Sequence, residues 1–132
     1  MKRVVFALLA IAGAVVLASP GSAIAAPKLP SHPAPAGATV RYDFTADAAL
    51  NDITYYGRDG KLVTRTNVRF LPAPISFGAL PKYNYTVTFR ASKSQKAGSR
   101  LDAHGAYAHC QLQVKGRTVA AITNPSSGVA KC

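Results

Sequence analysis

Asn84-Tyr85-Thr86-Val87-Thr88-Phe89-Arg90 alternates without a break: Tyr85, Val87 and Phe89 fall on one side, the threonines and Arg90 on the other. A period of two marks a strand with one face buried and one wet. Val40-Arg41-Tyr42-Asp43-Phe44-Thr45 repeats the pattern, and so does Cys110-Gln111-Leu112-Gln113-Val114. Asp59-Gly60 separates Ile53–Tyr56 from Leu62–Val68, and Lys115-Gly116 separates Cys110–Val114 from Arg117–Ile122, two tight hairpin signals. Asn124-Pro125-Ser126-Ser127-Gly128 turns the chain once more into a short strand over Val129–Cys132. Leu71-Pro72-Ala73-Pro74 interrupts pairing, which leaves Ile75–Leu80 as at best a short edge segment. Ser92–His104 (SKSQKAGSRLDAH) is polar, basic and turn-like and reads as a mobile loop. About seven short strands, with no helical period beyond the N-terminal segment, predict an all-β fold, an immunoglobulin-like β-sandwich over residues 39–132.

The N-terminus sets the compartment. Met1-Lys2-Arg3 is a positive n-region, Val4–Ala18 gives fifteen apolar residues, and Ala23-Ile24-Ala25 fits a small-x-small cleavage rule. Residues 1–25 therefore read as a signal peptide, cut after Ala25. The competing reading is an uncleaved anchor, since nothing between Val4 and Pro27 is charged and a membrane helix needs roughly 20 residues. Pro20, Gly21 and two serines spoil the last third of that span. Either way the protein is exported, secreted or membrane-associated outside the cytoplasmic membrane. Residues 26–38 hold four prolines in APKLPSHPAPAG and read as a semi-rigid spacer.

Composition excludes several classes. The chain of 132 residues has five Asp+Glu (all Asp), three His, two Cys and no Trp. Those carboxylates are too few and scattered for a paired acid–base site. Asp102-x-His104 with His109-Cys110 matches no zinc spacing, and no nucleophile elbow accompanies any serine. Neither a catalytic residue, a cofactor nor a metal site is therefore expected. Two lone cysteines in an exported chain read as one disulfide, Cys110–Cys132.

Charge is the remaining signal. Sixteen Lys+Arg give a formal net charge of +11. An exported protein this basic meets anionic lipid, envelope polymer or an acidic protein face rather than nucleic acid. Lys82–Lys131 holds eight basic residues and one acid, Asp102. Arg90, Lys93, Lys96 and Arg100 are the candidate partner face; the alternative is that they simply solvate outward strand faces.

The ordered set VRYDFT (Val40–Thr45), DITYYGRDG (Asp52–Gly60), YTVTF (Tyr85–Phe89), CQLQVKGRTV (Cys110–Val119) and a closing SGVAKC resembles the mycobacterial MmpS family. Its members are small accessory proteins of MmpL exporters of lipids and siderophores. The resemblance implies an Ig-like sandwich with one disulfide, matching Cys110 and Cys132, and a role outside the cytoplasmic membrane beside an RND-type transporter as partner. The residues alone also fit a free secreted module that binds anionic envelope polymer or lipid.

Overall fold

The computed structural model describes residues 28–74 and 80–132. The expected leader over residues 1–25 and nearly all of the edge segment expected over Ile75–Leu80 lie outside the described residues. Eleven strands form: β1 (His32–Ala34), β2 (Thr39–Ala46), β3 (Leu50–Tyr56), β4 (Leu62–Arg69), β5 (Leu71–Pro72) and β6 (Tyr83–Arg90). The second half adds β7 (Gln95–Ala97), β8 (Ser99–Ala103), β9 (Ala108–Val114), β10 (Arg117–Asn124) and β11 (Val129–Lys131).

Two antiparallel sheets face one another, ordered β10-β9-β2-β6-β5 and β11-β8-β3-β4, and β1 pairs with β7 as a separate ribbon. β2, whose burial alternates along its whole length, is central to its sheet. It pairs with β6 from Thr39↔Arg90 to Ala46↔Tyr83 and with β9 from Val40↔Val114 to Ala46↔Ala108. Its inward residues Val40, Tyr42, Phe44 and Ala46 meet Ile53 and Tyr55 of β3, Leu101 of β8, and Cys110 and Leu112 of β9 in the core. Burying side chains of this size contributes roughly 1.5–3 kcal/mol each, which favours the register that points them inward.

Two buried polar side chains are tied into the backbone. The Tyr42 hydroxyl donates to the Tyr56 carbonyl at 2.8 Å and accepts from the Gly98 N–H at 3.2 Å. Buried Asn51 donates to the Ala48 carbonyl at 2.8 Å and accepts from the His104 N–H at 3.1 Å. The disulfide Cys110–Cys132 forms, with 6.1 Å between the Cα atoms. It crosses between the sheets, because Cys110 lies on β9 and the Cys132 N–H bonds the carbonyl of Ser99, the first residue of β8.

Three expectations are corrected. Among the described residues the strand count is eleven rather than about seven, because β1, β5, β7 and β8 carry too few large apolar residues to show alternation. Ser92–His104 is not a loop: it contains β7 and β8, with Ala97, Ser99 and Leu101 fully buried. Small residues flank Leu101 on the inward face, so its period of two was hidden. The proline-rich stretch 26–38 is not a free spacer, since Leu29, Ala34 and Ala38 are buried and β1 pairs His32↔Ala97 through Ala34↔Gln95. A two-stranded ribbon tolerates proline because its outer edge needs no donor, and a residue before proline is already extended.

Candidate functional site

Strand direction gathers charge at one end of the sandwich. β2 starts there, at Thr39, so Arg90 at the end of β6 and Val114 at the end of β9 lie beside it. β3 runs back to the same end and turns through Arg58-Asp59-Gly60-Lys61 into β4. The segment after β6 crosses over this end: the Ser92 N–H bonds the Arg58 carbonyl at 3.0 Å, and Gln95 Nε2 donates to the Gly57 carbonyl at 2.6 Å. Lys93 and Lys96 ride on that crossing. Arg58, Lys61, Arg90, Lys93, Lys96, Lys115 and Arg117 thus share one end with a single aspartate, Asp59.

Of the four residues expected as a partner face, Arg90, Lys93 and Lys96 come together here. Arg100 does not. It sits on β8 opposite Thr54, and its Nε and Nη2 grip Asp102 at 2.8 Å. That hydrogen bonding raises the guanidinium's pKa further. Arg58, Lys61, Lys115 and Arg117 were missed by sequence reasoning. The available signal was their position: each flanks one of two glycine-bearing hairpins, which antiparallel strands return to the same end.

Every aspartate is held locally. Asp43 pairs with Arg41 at 2.9 Å and accepts from the Thr86 hydroxyl at 2.7 Å. Asp52 accepts from the Asn67 N–H at 2.8 Å and lies 3.2 Å from His104 Nε2. Asp47 accepts from the Ala106 N–H at 3.2 Å, and Asp59 lies 3.9 Å from the Lys61 ammonium. Among the described residues, Arg90, Lys93, Lys96, Lys115 and Arg117 form no ion pair.

A cleft of about 570 Å³ opens at this end between the N-terminal arm and the β9–β10 hairpin. His32, Pro33 and Pro35 form one wall; Val114, Lys115, Arg117 and Val119 form the other. The hairpin turn places both Lys115 (φ 54°) and Gly116 (φ 74°) in the left-handed region, the type I′ geometry that matches strand twist. Val119 is the extra residue where the β10–β9 register shifts between Thr118 and Ala120, and it stays 42% exposed.

Two smaller cavities differ in kind. One of about 380 Å³ lies on the outer face of the five-stranded sheet, where Arg41–Asp43, Thr45–Asn84 and His109–Thr123 already satisfy one another. Another, of about 440 Å³, is at the opposite end beside Lys82, whose ammonium lies 4.2 Å from the centre of the Tyr107 ring. Among the described residues, no group of three His, Cys, Asp or Glu side chains converges as a metal site. Partial burial, with Lys82 nearby, pushes the His109 imidazole below its usual pKa, against a weaker opposite pull from Asp43.

An all-β, disulfide-bonded sandwich with a basic end is thus the class that the geometry defines. Comparison with known protein families, curated proteins and solved structures found no match.

Proposed function

We propose that the chain is an exported, non-catalytic accessory protein of immunoglobulin-like architecture that docks by its basic end onto an RND-type exporter of lipids or siderophores. The observation that carries this reading is the separation of charge: four of the five aspartates lie beside a basic side chain, Asp47 accepts a backbone N–H, and of the seven cations at one end only Lys61 has an ion-pair partner among the described residues. Field lines from like charges with no local partner reach outward and raise the rate of encounter with an anionic surface. The resemblance to MmpS supplies the kind of partner. The leader-like N-terminus supplies the compartment.

Crosslinked capture of the tagged protein from its native membranes, read by mass spectrometry, tests it. An RND permease among the captured proteins is the expected result. Recovery from the culture medium alone, with no membrane partner, would replace it with the free secreted module that binds anionic envelope polymer or lipid.

A further inference from the structure

We infer that the cleft between the N-terminal arm and the β9–β10 hairpin takes the acyl chain of one anionic lipid, with the phosphate or carboxylate headgroup on Lys115 and Arg117. The inference gives a ligand class to the basic end and rests on the reading of that end as the functional one. Three observations carry it. The cleft, at about 570 Å³, is within the roughly 300–1,000 Å³ of small-molecule sites, and Pro33, Pro35, Val114 and Val119 make its lining apolar. Its rim is cationic and unpaired among the described residues, so an anion entering it displaces no existing carboxylate. The third observation is Lys115 itself. A left-handed φ at the first position of a type I′ turn suits Asn, Asp or Gly, and a lysine there retains an unfavourable backbone state while lining the cleft.

An apolar slot under two free cations complements a molecule that is apolar along its length and anionic at one tip. A bare polyanion would have no use for the slot, and a neutral lipid none for the cations.

The test titrates the full chain with decyl, dodecyl and tetradecyl phosphate below their micelle-forming concentrations, by calorimetry and native mass spectrometry. Tetradecyl phosphocholine and inorganic phosphate serve as the other arms. A one-to-one complex is expected, weakening roughly tenfold for each two carbons removed and much weaker for the zwitterion. Val119→Glu places a carboxylate in the slot at an already exposed position and should lower affinity at least tenfold. Lys115→Asn should also weaken binding several-fold while the melting temperature holds or rises, because Asn adopts the turn's φ more readily. Affinity equal to that of inorganic phosphate, independence of chain length, or indifference to both substitutions would overturn the inference. Adsorption to anionic vesicles of these variants and of a triple variant with Arg90, Lys93 and Lys96 changed to Gln separates the two claims. If single amphiphiles fail to bind but vesicle adsorption still depends on Arg90, Lys93 and Lys96, the lipid slot is lost and docking by the basic end stands.

Discussion

Gly98 shows how one residue can hold an arm in place. A Cβ there would overlap the Pro30 carbonyl oxygen, so the N-terminal arm lies against bare backbone. Gly98→Ala should lift the arm, lower the melting temperature by several degrees and make the bond region around Leu29–Ser31 sensitive to limited proteolysis. Tyr42 works nearby. Burial pushes its phenol pKa well up, and its hydroxyl links the Tyr56 carbonyl to the Gly98 N–H. Tyr42→Phe leaves both groups unpaired inside and should cost about 1–3 kcal/mol, read as a lower denaturant midpoint at unchanged slope. His109 sets a pH response. Its folded pKa lies below the ordinary value, so the unfolded chain binds the extra proton first on acidification. Its contribution is complete above about pH 6.5 and is lost as pH falls from there towards the folded value. His109→Gln, which retains a partner for Thr123, should flatten the fall in melting temperature between neutral and mildly acidic pH.

Among the elements, β11 is a short edge strand of three residues, paired only with β8. The disulfide compensates. Cys110 and Cys132 are 22 residues apart, and closing a loop of that size constrains the unfolded chain by about 3 kcal/mol in the entropic description. Replacing both cysteines with serine should lower stability by about that amount and speed amide exchange first in β11 and the neighbouring edge of β8. The same contrast explains what was legible in the sequence. β2, β6 and β9 announce themselves because large apolar residues alternate with polar ones. β8 hides because its inward set is Ser99, Leu101 and Ala103, and two of those residues are small enough to look like loop. β1 hides for another reason: Pro33 within it, and Pro30 and Pro35 beside it, argue against a ladder, yet a ribbon outside both sheets can accommodate them.

At the scale of the whole molecule, charge rather than packing distinguishes the two ends. Neutralising Arg90, Lys93 and Lys96 together with glutamine should move elution from a phosphate-bearing cation exchanger to clearly lower salt. Arg100→Gln should move it much less, since Asp102 already compensates that guanidinium. Part of the candidate site was readable as a run of basic residues after β6. Arg58, Lys61, Lys115 and Arg117 were not, because their meeting depends on which way β3 and β9 run, and strand order does not follow from alternation. The cleft was less visible still. One of its walls is the stretch that composition alone treats as a spacer.

That wall also limits reach. Were the leader retained in the membrane to Ala25, His32 on the cleft wall would follow after seven residues, which fully extended cover roughly 25 Å. With Leu29 already packed onto the domain, the free part of that tether is shorter. A protein so leashed could patrol only the layer next to the bilayer and could not span the envelope. Cleavage after Ala25, were it to occur, would remove the leash and leave a new positively charged amine a few residues from the same wall.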